Sequence, residues 1–329
     1  MTPANAFSYI KKAHKAIKKL NRDEGKRYTS ALYSYVDFIW CFVRYGCLIN
    51  QYVNGNFWRY RHTDRKKIMT YRRVVEFINK LNSPEHIYKL NDKVAFNRHF
   101  KDFIDRKWLS SEEMTADDFR DLCITSPEII IKPLDECEGK GIELIAVSQD
   151  VLSDKKFRSL YESLKKRRLI IEQRIKNHPE IEFNNSSINT IRINSITDKS
   201  GKVHIFKPVL RAGVGDSVVD NYNAGGCEYA IDAESGIVTS LCYRGYKLQG
   251  IRHPGCERIM PGYQIPLWHE VIDIIERASH QIPECRFIGW DVAITPNGVQ
   301  LIEGNHNPGN VSIEFFGEIG WYDKLKKYL

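Results

Sequence analysis

The stretch GWDVAITPNGVQLIEGNHNPG, from Gly289 to Gly309, carries the strongest indication of the fold. Two mostly apolar runs flank a Pro-Asn-Gly turn, which is typical of a β-hairpin. Asp291 lies on the first predicted strand, and Glu303 and Asn305 lie two residues apart on the second. Since side chains alternate between the two faces of a strand, Glu303 and Asn305 share a face. We therefore expect three oxygen donors to converge there.

Converging oxygen donors of this kind suit Mg²⁺, which takes few carboxylates and leaves positions for phosphate oxygens and water. The alternative is that Asp291 and Glu303 are exposed carboxylates on the surface of the sheet. Both lie in otherwise apolar strands, however, where an unpaired carboxylate is costly.

A second candidate site begins at Lys132, which ends the predicted strand Ile129–Ile131 and precedes the turn Gly139-Lys140-Gly141. Glycine allows the backbone to approach a phosphate closely, and lysine neutralises its charge. The segment matches neither the G-x-x-x-x-G-K-[ST] loop nor G-x-G-x-x-G. By itself it is equally consistent with an ordinary hairpin and an exposed lysine.

The third candidate is the segment LIIEQRIKNHPE, residues 169–180. A strand ending in Glu172, with backbone groups running on to Ile175, could offer an adenine ring an acceptor and a donor. Glu180 could bind ribose hydroxyls. A solvated loop explains the same residues equally well.

Length and composition fit a soluble protein of about two domains. The chain has 329 residues, of which 42% are hydrophobic. The first 88 or so residues show apolar positions at three- and four-residue steps, which predicts helices, and Ser83-Pro84 ends this region. From Asn91 onwards predicted strands and helices are mixed, so we predict an α+β core.

Basic residues are concentrated near the N-terminus. The net charge is +8, and residues 1–30 and 59–80 each hold eight basic and two acidic residues. Such patches favour anionic partners, although solvated helix faces are the simpler interpretation. No nucleic-acid-binding motif accompanies them, so we expect no nucleic-acid partner. Peripheral membrane contact through the basic N-terminal helices is the remaining expectation.

The most apolar stretch, Ala31–Val53, is interrupted by Asp37 and Arg44. A spanning helix needs about 20 mostly apolar residues. We therefore expect a buried helix, with a membrane-contacting helix as the alternative. The eight cysteines show neither C-x-x-C nor zinc-ligand spacing, which predicts reduced thiols and a cytoplasmic protein. A position at the inner face of the membrane is the alternative location.

The order of these segments resembles the ATP-grasp superfamily over residues 89–320. Within it, the chain is most similar to the sugar-transfer-associated group, which polysaccharide and teichuronopeptide biosynthesis proteins typify. The resemblance rests on NDKVAFN, IIIKP…GKGI, IEQRIKNHPE…SSINTIRI, NYNAGG and GWDVAIT…LIEGNHNPG. It implies an α+β ATP-grasp fold, in which two subdomains grip ATP, after a helical N-terminal module. The implied division is 1–88 and 89–329, with a lid subdomain at about 120–175 and a metal and substrate subdomain at 188–329.

The resemblance also implies roles for individual residues. The implied nucleotide ligands are Lys93, Lys132, Gly139, Lys140, Gly141, Glu172, Ile175 and Glu180. The implied metal ligands, for one or two Mg²⁺ ions, are Asp291, Glu303 and Asn305. The residues that resemble those near the transferred phosphate and the carboxylate are Arg192 and Arg211. Asn221, with Gly225 and Gly226, resembles the N-x-x-x-G-G stretch of related ligases.

The implied activity is that of an ATP- and Mg²⁺-dependent carboxylate–amine ligase that works through an acylphosphate. The implied substrates are an amino acid and an acidic sugar of a surface polysaccharide such as a capsule. No Ser–His–Asp or Cys–His motif argues for covalent catalysis. Two alternatives remain open: a phosphotransferase acting on a sugar or other hydroxyl, and a non-catalytic nucleotide-binding protein.

Overall fold

The computed structural model describes residues 3–23, 31–136, 139–149, 151–183, 187–215, 225–245, 247–308 and 319–329. These residues form two compact units, one of residues 3–81 with 319–329 and one of residues 82–308. The predicted division at residue 88 and the predicted subdomains stay predictions. The boundaries of the two compact units differ from this division, because residues 319–329 cluster with the N-terminal helices.

The first unit is helical, as its three- and four-residue periodicity predicts. Its helices are α1 (Pro3–Asp23), α2 (Ala31–Tyr45), α3 (Ile49–Val53), α4 (His62–Arg65), α5 (Tyr71–Leu81) and, at the C-terminal end, α11 (Trp321–Leu325). Ala13, Ile17 and Leu20 of α1 face its core. Within the unit, Arg65 donates two hydrogen bonds of 2.7 and 2.8 Å to the carboxylate of Asp37. This pair accommodates one of the two charges that interrupt the apolar stretch.

The expectation that Ala31–Val53 forms a buried helix is wrong in two respects. Helix α2 ends at Tyr45, because Gly46 takes a positive φ of +67°. One face of α2 is buried through Ser34, Phe38, Cys41 and Tyr45, but the opposite face is exposed. A single neighbouring layer can cover only one side of a helix. No helix among the described residues is long and apolar enough to cross a membrane.

The second unit contains a four-stranded antiparallel sheet of order β1-β4-β2-β3. Its strands are β1 (Trp108–Ser110), β2 (Glu128–Pro133), β3 (Glu143–Ala146) and β4 (Leu169–Gln173). Helices α8 (Ala116–Thr125) and α9 (Asp154–Lys165) supply apolar side chains to its core, among them Phe119 and Phe157. Helix α8 starts with a capping box between Thr115 and Asp118. Strand β2, predicted at Ile129–Ile131, pairs antiparallel with β3.

The same unit contains a seven-stranded antiparallel sheet of order β11-β10-β5-β6-β7-β8-β9. Its strands are β5 (Thr190–Thr197), β6 (Val203–Ala212), β7 (Cys227–Ala230), β8 (Tyr243–Arg244), β9 (Lys247–Leu248), β10 (Phe287–Thr295) and β11 (Gly298–Asn305). Helix α10 (Trp268–Gln281) packs into the apolar cluster of this sheet, and the short helices α6 (Tyr88–Asn91) and α7 (Lys93–His99) contribute Leu90 and Phe96. The predicted hairpin of β10 and β11 is confirmed, with Asp291 directly opposite Glu303.

Candidate active site

One face of the large sheet is apolar and the other carries buried polar side chains. Ile191, Ile193, Trp290 and Val292 point into the hydrophobic core. Since side chains alternate along a strand, the residues between them face the other way. Two adjacent rows of strand partners result there, Arg192–Asp291–Glu303 and Asn194–Gly289–Asn305. Neighbouring strands therefore assemble the candidate site from segments far apart in the sequence.

Asp291 is the centre of this polar face and is buried between two arginines. Arg192 donates from Nε to Oδ1 at 2.6 Å and from Nη2 to Oδ2 at 2.7 Å. Arg211 adds a contact from Nη1 to Oδ1 at 3.3 Å. Burial by itself would raise the pKa of Asp291, but the two guanidinium groups outweigh it and lower the pKa. Asp291 is therefore an ionised partner of arginine, and its role as a metal ligand stays a prediction.

Glu303 keeps a more accessible carboxylate, with a side chain 46% exposed. Asn305 donates from Nδ2 to Glu303 Oε1 at 3.2 Å. The pKa of Glu303 is raised, first because surrounding protein displaces water and then because Asp291 lies beside it. The sequence predicts that the carboxylates of Asp291 and Glu303 share one face of the sheet. The structure shows that they lie close enough to repel each other.

The donor set at Glu303 and Asn305 fits Mg²⁺. No cluster of three or more His, Cys, Asp or Glu side chains that could hold a metal occurs among the described residues. A carboxylate and an amide oxygen suffice, however, because Mg²⁺ is usually bound through one or two carboxylates together with phosphate and water oxygens. A cation here would also offset the repulsion between Asp291 and Glu303. Glu303 and Asn305 are thus the residues that would hold it.

Glu228 is a site neighbour that we did not predict. It lies on β7 directly opposite Arg211, and the Arg211 Nε to Glu228 Oε1 distance is 3.4 Å. Burial raises the pKa of Glu228, although Arg211 and Arg192 oppose the shift. The signal in the sequence was present: GCEYA, like GWDVA, places a single carboxylate in an otherwise uncharged strand.

Asn194 is a second neighbour that the sequence did not single out. Its side chain is 1% exposed, and neither its amide nitrogen nor its amide oxygen has a hydrogen-bond partner in the described part of the chain. A Cβ placed on Gly289 would lie 2.9 Å from Arg192 Nη1 and 3.2 Å from Asn194 Oδ1. Glycine at position 289 therefore leaves room between these two polar groups. An unpaired buried amide costs about 1–3 kcal/mol, so Asn194 is a candidate ligand-binding group.

On the small sheet, Lys132 and Glu172 are brought together. Lys132 Nζ forms an ion pair with Glu172 Oε2, and Glu172 is almost completely buried. Arg106 Nε donates to Glu172 Oε1 at 2.8 Å, and Asn97 Nδ2 does so at 3.0 Å. Burial would raise the pKa of Glu172, but Arg106, Lys132 and Asn97 together lower it well below its usual value.

The carboxylate of Glu172 therefore forms ion pairs with both Lys132 and Arg106. An adenine hinge at this strand would use backbone groups, as the sequence suggested. The amides of Gln173 and Arg174 already donate to Lys107 and Glu128. Within the described ranges, neither the N–H nor the carbonyl of Ile175 forms a hydrogen bond. Ile175 thus has the free backbone groups that a base needs.

Arg106, a residue that we did not predict, connects the two sheets of the second unit. Besides its bond to Glu172, its Nη1 donates to the carbonyl of Leu301 at 2.7 Å. Its Nη2 donates to the carbonyl of Ile302 at 3.3 Å. One buried guanidinium thus ties the partner of Lys132 to the strand that carries Glu303. Nothing in the local pattern around IDRKW marked this residue.

The other predicted nucleotide ligands occupy separate positions. Lys93 Nζ donates to the carbonyls of Glu136 at 2.8 Å and Leu134 at 3.4 Å, so it lies against the segment before the glycine turn. Gly139 and Gly141 have φ values of +78° and +69°, and Lys140 between them is exposed. A left-handed backbone favours glycine at both positions.

The predicted ribose ligand Glu180 is not joined to the polar face by any described contact. Glu180 lies in a short 3₁₀ turn with an exposed side chain, and its carbonyl accepts a 2.6 Å hydrogen bond from Tyr263 Oη. Asn221 lies outside the described residues. Its companion Gly225 has a φ of +87° and accepts from Arg244 Nε at 2.8 Å.

A lysine-bearing small sheet beside a larger sheet with a face of arginines and carboxylates is the arrangement of an ATP-grasp fold. The chain belongs to the sugar-transfer associated ATP-grasp family, whose sequence profile matches residues 72–328. No curated protein matches the chain.

Several solved structures are similar in fold. The ATP-grasp ligase PsnB, complexed with a phosphomimetic variant of a minimal precursor, Mg and ADP, is 12% identical with a TM-score of 0.45; the match covers 78% of this chain and 66% of that one. The ADP complex of purK, N5-carboxyaminoimidazole ribonucleotide synthetase, is 10% identical with a TM-score of 0.42, covering 73% and 52%. D-alanyl-alanine synthetase A from Vibrio cholerae O1 biovar eltor is 12% identical with a TM-score of 0.42, covering 75% and 62%. The chain thus spans about half to two thirds of the length of these proteins.

Proposed function

We propose that the protein is an ATP- and Mg²⁺-dependent carboxylate–amine ligase that forms an amide through an acylphosphate. The observation that carries the proposal is the pairing of Arg192 and Arg211 with Asp291 beside Glu303 and Asn305. These are groups that hold and neutralise anions, which is the main requirement of phosphoryl transfer.

In the first step, a carboxylate oxygen of the substrate attacks the γ-phosphorus of ATP. An O–P bond forms, the bond from the γ-phosphorus to the bridging oxygen breaks, and ADP leaves with the electron pair. Asp291 accepts hydrogen bonds from Nε and Nη2 of Arg192. The Nη1 group of Arg192 is then the one that donates to a substrate oxygen. The bound Mg²⁺ would neutralise phosphate charge, held by Glu303 and Asn305.

In the second step, the amine attacks the carbonyl carbon of the acylphosphate. The C–N bond forms, the C–O bond to phosphate breaks, and the amine nitrogen loses a proton to solvent. The oxygen that becomes negative in this step needs donors already in place. Arg211 is suited to that role, since Glu228 and Asp291 fix its orientation.

For the substrates, we propose an amino acid and an acidic sugar of a surface polysaccharide, such as a capsule. The family's association with sugar transfer supports the sugar. The two guanidinium groups support a carboxylate, because their planar fork matches its geometry. ATP, a small-molecule or sugar-linked carboxylate and an amine are then the partners, and we place the reaction in the cytoplasm, where ATP is supplied.

The test is a matrix of uronic acids and amino acids, assayed for Mg²⁺-ATP-dependent ADP release and for an amide product by mass spectrometry. Hydroxylamine should intercept the acylphosphate as a hydroxamate, whose formation needs the carboxylate but not the amine. Glu303→Gln is the inactive control. ADP release that follows a hydroxyl acceptor and yields a phosphorylated sugar would instead identify a phosphotransferase. ATP binding without turnover across the matrix would contradict the proposal.

A further inference from the structure

Helix α2 is apolar on two opposite faces. At about 100° per residue, Leu32, Val36, Ile39 and Val43 fall on one line along the helix. We call these four residues the α2 stripe. Their side chains are 58–70% exposed. The opposite line is the buried one that packs into the first unit.

Aromatic side chains extend the α2 stripe on one side. Tyr33 and Trp40 are 55% and 42% exposed. Soluble monomers rarely expose large contiguous apolar patches, and those that occur usually mark an interaction site. An ordinary surface helix would place polar residues on the outer face. The α2 stripe is therefore an exposed apolar surface that packing within the core of the first unit does not account for.

The charge of the same region indicates the kind of partner. Residues 1–81 contain 17 Lys and Arg against 5 Asp and Glu, a net charge of +12, whereas the whole chain carries +8. Residues 82–329 are therefore net negative by four. On α1, next to α2 in the core, the lysines are exposed: Lys11, Lys12, Lys15, Lys18 and Lys19.

We propose that the α2 stripe binds in the plane of a bilayer that contains anionic phospholipids. Helix α2 has 15 residues and is therefore about 22 Å long, too short to span a hydrocarbon core of about 30 Å. Insertion of the stripe to the depth of the headgroup and acyl boundary removes it from water. Tyr33 and Trp40 are residues that prefer this boundary, and the exposed lysines attract the headgroups.

A second copy of the chain is the competing occupant of the α2 stripe. Two such units would bring charges of +12 and +12 together, and like charges disfavour that association. An anionic bilayer supplies both requirements at once, an apolar phase and negative charge. The proposal is independent of the ligase activity, because the stripe and the lysines lie outside the candidate active site.

The experiment is flotation of the full chain with vesicles of phosphatidylcholine alone or with 30% phosphatidylglycerol, without nucleotide. We expect binding to the anionic vesicles only, weakened when salt rises from 0.1 to 1 M as the screening length falls from about 10 to about 3 Å. The triple variant Val36→Ser, Ile39→Ser, Val43→Ser should bind at least about tenfold more weakly. Its matched control is Ile124→Ser, Ile251→Ser, Ile259→Ser, three isoleucines of the second unit that are also about half exposed or more.

A second arm tests the charge. Lys11→Glu, Lys15→Glu, Lys18→Glu should abolish binding, whereas Lys155→Glu, Lys166→Glu, Lys199→Glu, with the same charge change on exposed lysines of the second unit, should leave most of it. Circular dichroism and the unfolding midpoint identify any variant that fails to fold. Trp40 should also show a blue-shifted emission on binding that Trp40→Phe loses.

Three results would overturn the proposal. One is no flotation with anionic vesicles. Another is equal binding by the stripe variant and its isoleucine control. The third is a dimer in sedimentation equilibrium that the stripe variant abolishes without any effect on vesicle binding, which would assign the stripe to a second copy.

Discussion

Arg192 grips both carboxylate oxygens of Asp291 in a buried, two-pronged ion pair, at 2.6 and 2.7 Å. The two residues lie directly opposite each other on neighbouring strands. The pair fixes the plane of the guanidinium and leaves Nη1 beside Gly289 and Asn194. Asp291 thereby fixes the orientation of the Arg192 guanidinium.

Glu303→Gln and Asp291→Asn should both lose ATP turnover but should differ in stability. Glu303 is half exposed, so its amide is tolerated in the fold. Asp291→Asn removes the carboxylate that binds the buried guanidinium of Arg192 and leaves Arg211 with Glu228 alone, which should cost about 3–5 kcal/mol of unfolding free energy. Urea denaturation and ADP release measure the two effects. Equal unfolding midpoints for the two variants would contradict the central position of Asp291.

Lys132→Met should weaken ATP binding by about tenfold to a hundredfold, the effect of losing one charged hydrogen bond of about 1.5–3 kcal/mol. Glu172 keeps Arg106 and Asn97 as partners, so the fold should survive. Calorimetric titration with a non-hydrolysable ATP analogue gives the affinity. Lys166→Met, an exposed lysine after α9, is the control. Unchanged affinity for Lys132→Met would remove this residue from the site.

The stability contribution of Glu172 should depend on pH. Because its pKa is lowered in the folded state, its contribution is fully present above the unfolded pKa of about 4.3 and is lost as pH falls from there through the folded pKa. Glu172→Gln should therefore be destabilised at pH 7, and its difference from the wild type should shrink below about pH 4. Urea midpoints at pH 7, 5 and 3.5 test this, with the exposed Glu162→Gln as control. A difference that stays constant over this range would argue against the buried network.

Arg211→Lys should lower turnover at least about tenfold while changing ATP affinity little. The substitution keeps a positive charge beside Glu228 but loses the planar fork that reaches Asp291 as well. Steady-state turnover and the nucleotide dissociation constant, measured on the same preparation, separate the two effects. An Arg211→Lys enzyme with wild-type turnover would show that the fork has no part in the reaction.

Gly289→Ala should impair turnover by displacing Arg192. The new Cβ would lie 2.9 Å from Arg192 Nη1 and 3.0 Å from Pro308 Cβ, so the guanidinium that Asp291 holds must shift. Overpacking of this kind costs about 1–3 kcal/mol. Gly250→Ala, which has no atom within 4 Å of its new Cβ, is the matched control. Turnover equal to that of the control would show that the close approach of Arg192 to Gly289 is not needed for the reaction.

The sequence by itself determined the β10–β11 hairpin and the common face of Asp291, Glu303 and Asn305. Both follow from local rules, since a Pro-Asn-Gly turn and two-residue alternation act over a few residues. The order of the motifs was sufficient for the ATP-grasp fold, which the family match confirms.

Only the tertiary structure determined which charged side chains form ion pairs with each other. Arg192 lies 99 residues from Asp291, and Arg106 lies 66 residues from Glu172. These pairs depend on the strand orders β11-β10-β5-β6-β7 and β1-β4-β2-β3, which set neighbours irrespective of their distance along the chain. The sequence also could not reveal that the outer face of α2 is exposed to solvent. Apolar periodicity shows that a helix has an apolar face, but not whether another element covers it.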